Sequence, residues 1–172
     1  MHQLFLLRHA KAEPGGGVLQ DHDRPLTANG RHDAGKIAQA MRKAGLAPEV
    51  VLVSTALRTQ QTLEALENAS VWDEWPNIDA LPQLYMATPP QLLNTIRDLP
   101  ETVRSALIIG HNPGLHEVAL RLAGGAWPDA MNPGPGEGYP TATLSEFLIT
   151  GRWRQASAET ASLKRVLRAA SC

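Results

Sequence analysis

The chain begins with an apolar run, Leu4-Phe5-Leu6-Leu7, that stops abruptly at Arg8-His9, a cation followed by an imidazole. The run predicts a buried strand, and its end predicts two polar groups that need partners or solvent. After a Gly/Pro-rich loop at Pro14–Gly17, Ala34, Ile37, Ala38 and Met41 recur at i, i+3, i+4 and i+7. That spacing predicts an amphipathic helix, stopped by Gly45 and Pro48. Val50–Val53 is short and β-branched, a second strand. Residues 54–69 then predict a helix with Leu63 and Leu66 on one side. Ile78–Leu81 predicts a third strand, and Pro89-Pro90 opens a helix running to about Leu99. Ala106–Ile109 predicts a fourth strand. Beyond it Asn112 caps a helix, Pro113 takes the first helical position and Gly124-Gly125 ends it. Residues 126–139 hold too much Pro and Gly for regular structure. Thr141–Ile149 predicts the last strand, and a tail over about 156–170 carries Leu163, Val166 and Leu167 at helical spacing. Strands alternating with helices predict an α/β domain with a largely parallel sheet, a single unit over residues 1–172 with its core over about 3–150.

Composition narrows the function classes. The 172 residues suit one domain with a substantial core. No apolar run approaches the ~20 residues that cross a bilayer, and the four-residue N-terminal run lacks the basic flank of a secretory signal. Sixteen basic and seventeen acidic side chains give a formal charge of −1, so no global field favours nucleic acid or an anionic membrane. The one cysteine, Cys172, excludes an intramolecular disulfide and fits a reducing, cytoplasmic setting.

The candidate chemistry is positional. Arg8-His9 follows the first strand, "STALRT" with Arg58 follows the second, and Gly110-His111-Asn112 follows the fourth. Parallel α/β sheets bind ligands at the carboxyl ends of their strands. Taken singly, His9 reads as a satisfied core histidine, Arg58 as a solvated helix residue and His111 as part of a capping turn. Taken together they predict one mouth with two arginines, two histidines and helix N-termini, suited to a compact anion such as phosphate. His111 and His116 are five apart with Pro113 between them, not the i, i+4 pair of a helical zinc site, so no metal is expected. The glycines near 15–17 and 134–138 match neither a Walker loop nor a dinucleotide fingerprint.

"LRHA", "D..RPLT..G", "VLVSTALRTQQT" and "IIGHNPG", in that order, resemble the histidine phosphatase superfamily, and most of all its small SixA-type phosphohistidine phosphatases. The resemblance spans about residues 3–150. It implies the three-layer α/β/α arrangement of the phosphoglycerate mutase-like proteins, with no metal or organic cofactor. Residue by residue, it implies that His9 takes the phosphoryl group, that Arg8 and Arg58 bind its oxygens, and that His111 donates to the same oxygens. Asp21 and Arg24, in "DHDRPLT", match positions near the pocket rim, and Asn112 is counted with them as substrate-binding. Histidine attacks only when neutral, so the other ring nitrogen of His9 is expected to donate to a carbonyl or similar acceptor, and the flanking cations favour that neutral form.

One departure bears on substrate. Mutases and many phosphomonoesterases of the superfamily place a glutamate proton donor after the third strand, where this chain has Gln83 and no carboxylate from Leu81 to Ile96. Acid-phosphatase relatives place an aspartate after the second histidine, where this chain has Asn112. An alkoxide leaving group needs a delivered proton and an imidazole needs little acid help. The expectation is therefore a phosphatase for phosphohistidine or another activated phosphate, with a histidine-phosphorylated signalling protein as partner. Asp21 and Glu13 stay open as acids. A small-molecule phosphomonoesterase and a non-catalytic phosphate-binding module are the alternatives, and the role of residues 126–139 stays open.

Overall fold

The computed structural model describes residues 1–69, 72–132 and 138–172. Strands β1 (His2–Arg8), β2 (Val50–Ser54), β3 (Asn77–Leu81), β4 (Ser105–Gly110), β5 (Thr143–Ile149) and β6 (Ala161–Arg168) form one sheet in the order β3-β2-β4-β1-β5-β6. The β1–β4, β2–β4 and β2–β3 pairings are parallel, while β5 pairs antiparallel with both β1 and β6. The sheet is thus mixed, less parallel than expected, with β5 running against the other five strands.

The apolar runs are continuous because the sheet is covered on both faces. Phe5, Leu7, Val51, Val53, Leu107 and Ile109 pack against α1 (Ala28–Ala44) and α2 (Leu57–Asn68). Leu4, Leu6, Leu52, Ala106 and Ile108 pack on the opposite face against α3 (Pro89–Arg97) and α4 (Gly114–Leu122). Neighbouring residues of one strand thus serve different layers, as the two-residue period of a strand requires. The result is the expected α/β/α arrangement.

The tail departs from its predicted helix. Ala161–Arg168 is β6, which pairs along the outer edge of β5, so Thr141–Ile149 does not hold the last strand. The register shifts at Glu146/Phe147, where Arg165 pairs with Glu146 and Leu163 with Phe147, leaving Lys164 as the extra residue. A bulge reverses the alternation of faces. Leu163 therefore packs with the α3/α4 layer and Leu167 with the α1/α2 layer. Spacing that imitates a helical stripe arises here from a bulged strand, and β5 needs such a partner to satisfy its open edge.

Two close approaches set the mouth of the sheet. A Cβ on Gly30, in the first turn of α1, would lie 2.0 Å from the carbonyl oxygen of Lys11, two residues past His9. A Cβ on Gly114, at the start of α4, would lie 2.0 Å from the carbonyl oxygen of Ala87. Only glycine lets α1 and α4 begin so near the loops they anchor. The α4 start is one residue later than predicted: Pro113 occupies the N-cap position, and the Asn112 side-chain oxygen accepts from the His116 N–H at 3.3 Å.

Candidate active site

β2, β4 and β1 are adjacent, so their carboxyl ends bring Ser54, Gly110 and Arg8 side by side. Arg8, His9, Arg58 and His111 line one cavity of about 260 Å³, together with Asp21, Arg24, Met86 and Asn112. The ring centroids of His9 and His111 are 5.3 Å apart. His9 is 7 % exposed, Arg58 2 % and His111 3 %. Residues as far apart in sequence as 8 and 111 thus share one concavity.

His9 is held by its own backbone neighbour. Its Nδ1–H donates to the carbonyl of Ala10 at 2.6 Å, which leaves the lone pair on Nε2. The Ala10 N–H donates to the Thr62 hydroxyl at 3.0 Å, and that hydroxyl donates to the Arg58 carbonyl at 2.7 Å. One turn of α2 thereby fixes the loop that carries His9. Burial pushes the His9 pKa down to about 4, opposed by the Ala10 hydrogen bond and reinforced by Arg58, Arg8 and Arg24. Burial, the neighbouring His9 and Arg58 push His111 down to about 3. Both rings are neutral at physiological pH.

The cations are positioned but incompletely satisfied. Arg8 donates through Nη1 to the Tyr139 carbonyl at 3.0 Å. Burial, followed by the nearby Arg58, draws its pKa below the ordinary value. Arg58 donates through Nη1 to the Asp21 carbonyl at 2.7 Å and through Nη2 to the Asp21 carboxylate at 3.1 Å, with its guanidinium 5.8 Å from the Tyr85 ring centre. Arg8 Nε, Arg58 Nε and His111 Nδ1 are buried and have no hydrogen-bond partner among the described residues. Buried donors without partners are rare because each carries an uncompensated desolvation penalty. Two arginine donors of this kind on the lining of one cavity, beside His111 Nδ1, suit an acceptor-rich anion.

The rim residues differ in what they can do. The Asp21 carboxylate accepts from Tyr85, Arg24 and Arg58. The Tyr85 hydrogen bond, then those from Arg24 and Arg58, hold it well below the usual carboxylate range. It is ionised at neutral pH and has no proton to donate. Arg24 spans Asp21 and the Glu13 carbonyl, so it ties the rim loop together. The Glu13 side chain does not line the cavity. The Asn112 amide is engaged at both ends, donating to the Tyr139 carbonyl at 2.8 Å while its oxygen accepts from His116. Among the described residues, no cluster of three or more His, Cys, Asp or Glu could hold a metal.

Sequence reasoning missed Ser54, Thr62, Tyr85, Met86 and Tyr139. Ser54 and Thr62 lay inside a quoted motif, and their signal was a hydroxyl at each end of the segment that also carries Arg58. Tyr139 closes the Pro/Gly-rich stretch, with its hydroxyl donating to the Leu6 carbonyl at 2.7 Å. Within that stretch, residues 133–137 lie outside the described residues.

A family model for the histidine phosphatase superfamily (branch 1) matches residues 4–81. An uncharacterised protein of Mycobacterium leprae is 30 % identical over 162 residues, covering 91 % of this chain and 96 % of that protein. An uncharacterised chloroplastic protein of Arabidopsis thaliana is 34 % identical over 130 residues, covering 71 % of this chain but only 59 % of the plant protein's length. The structure of a candidate phosphohistidine phosphatase SixA from Nakamurella multipartitia superposes with a TM-score of 0.77 at 28 % identity, covering 97 % of this chain and 95 % of that one. The chain belongs to the histidine phosphatase superfamily, and its structure is similar to SixA-type proteins.

Proposed function

We propose that this chain is a phosphatase that transfers a phosphoryl group to His9 and releases it to water, with N-phosphorylated histidine on a protein as its substrate class. The observation that carries this reading is the set of three buried nitrogens without a hydrogen-bond partner among the described residues, Arg8 Nε, Arg58 Nε and His111 Nδ1, around a neutral histidine whose Nδ1–H is already committed. Phosphoryl oxygens would satisfy both arginine N–H groups and a protonated His111 Nδ1, and the bare Nε2 of His9 would face phosphorus.

In the first step the His9 Nε2 lone pair forms a bond to phosphorus as the bond from phosphorus to the leaving group breaks. The positive charge that develops on the His9 ring is shared with the Ala10 carbonyl through Nδ1–H. When the leaving group is an imidazole protonated at its far nitrogen, it departs as neutral imidazole and needs no acid from the enzyme. Asp21, the one carboxylate lining the cavity among the described residues, is ionised and saturated with donors, which favours such a leaving group over an alkoxide. Water then takes the phosphoryl group from His9, giving inorganic phosphate and the neutral ring. The likeness to a candidate SixA phosphohistidine phosphatase supports the same reading.

The test offers the purified chain phosphohistidine protein, phosphoglycerate and an aryl phosphate side by side. Turnover of the first is expected, with an acid-labile, alkali-stable phosphoenzyme that disappears in His9→Ala. Phosphate release that survives His9→Ala would overturn the mechanism, and a clear preference for phosphoglycerate would overturn the substrate class.

A further inference from the structure

Ser54 ends β2, is fully buried, and stands with its hydroxyl oxygen 2.7 Å from His111 Nε2. We infer that Ser54 is a positioning residue that holds His111 as the Nδ1–H tautomer, so that the ring presents a donor and not a lone pair to the transferred phosphoryl group. This rests on the function proposed above.

A neutral imidazole has one N–H and one bare nitrogen, and a serine hydroxyl has one proton and two lone pairs. The Ala56 N–H already donates to the Ser54 oxygen at 3.3 Å. Two arrangements remain. If His111 donated from Nε2, the Ser54 oxygen would receive two donors, and its own proton would have no acceptor among the described residues. His111 Nδ1 would then turn a buried, unpartnered lone pair toward the cavity. If Ser54 donates to Nε2, each group of the Ser54–His111 pair is satisfied except His111 Nδ1–H. That single open donor is what a phosphoryl oxygen satisfies, whereas a lone pair in the same place would repel it.

The two histidines then work with the same proton placement and opposite ends. His9 spends its Nδ1–H on the Ala10 carbonyl and offers Nε2 to phosphorus. His111 spends its Nε2 on Ser54 and offers Nδ1–H to oxygen. Because burial and neighbouring charge keep His111 neutral, a second proton cannot make the tautomer irrelevant.

The experiment is ¹⁵N NMR of the histidine side chains in the wild-type chain, in Ser54→Ala and in Ser54→Thr, combined with steady-state kinetics on an aryl phosphate. In the wild type, His111 is expected to show a protonated Nδ1 and a bare Nε2, and in Ser54→Ala a mixture of tautomers. Ser54→Ala is expected to lower kcat by about 10- to 100-fold with little change in KM, the scale of lost hydrogen-bond support behind a functional ligand. Ser54→Thr keeps the hydroxyl and is expected to restore both signals. A wild-type spectrum with the proton on Nε2 would overturn the inference without any variant. So would a folded Ser54→Ala with unchanged kcat. Failure of His9 to phosphorylate would overturn the proposed function instead, and the His111 spectrum would still report on the tautomer.

Discussion

Arg58 and Asp21 are joined twice, by Arg58 Nη1 to the Asp21 carbonyl at 2.7 Å and by Arg58 Nη2 to the Asp21 carboxylate at 3.1 Å. An arginine at the start of α2 is thereby tied to the loop before α1, which orients its remaining buried donor, Nε. Asp21 in this arrangement is an anchor for cations, with Arg24 on its other oxygen.

That anchoring role predicts the leaving-group dependence of Asp21→Asn. A lost general acid would slow poor leaving groups by about 10²- to 10⁴-fold while sparing good ones. The expected outcome is instead a similar loss for aryl phosphates of widely different leaving-group pKa, measured as kcat/KM across the series. A loss concentrated in the poorest leaving groups would make Asp21 the acid.

Arg8→Lys is expected to fail despite preserving charge. Lysine lacks the planar fork that reaches both the Tyr139 carbonyl and a phosphoryl oxygen. Hydrogen bonds to charged groups contribute about 1.5–3 kcal/mol, so inhibition by inorganic phosphate should weaken by about 10- to 100-fold. Competition kinetics read this directly.

The pH dependence has a definite sign. The folded pKa values of His9 and His111, about 4 and about 3, lie below the unfolded value of about 6.5. The unfolded chain therefore takes up protons first, and stability is full above about pH 6.5 and falls as pH drops toward about 4. Asp21, held below the usual carboxylate range, adds a loss of the same sign at still lower pH. Urea midpoints should decline between about pH 7 and about pH 5, with a shallower slope in His111→Asn. A flat profile in the wild type would contradict the buried, neutral state of both rings.

Thr62→Val removes the acceptor of the Ala10 N–H while keeping the side-chain shape. A buried amide left without a partner costs about 1–3 kcal/mol, which chemical denaturation would register. Activity should fall as well, because Ala10 is the residue whose carbonyl fixes His9. Thr62→Ser is expected to recover most of both.

The strands that carry Arg8 and His111 were legible because burial on both faces leaves an unbroken apolar run, and a run that ends in charge marks its own boundary. Helix α1 was legible from Ala34 to Met41 for the analogous reason, a stripe at the period of the helix. Leu163, Val166 and Leu167 were misread because a bulge at Lys164 breaks the strand's alternation and leaves helical spacing behind. Only the open edge of β5, a long-range feature, decides that segment.

The four principal site positions are written in local patterns, since Arg8, His9, Arg58 and His111 each sit where a strand gives way to a loop or helix. What only the tertiary structure decided is which groups hold the two rings and the loop that carries His9. The order β2-β4-β1 puts Ser54 against His111, and the packing of α2 puts Thr62 under Ala10. These contacts join residues about fifty positions apart, and short-range periodicity has no means of encoding which hydroxyl meets which ring.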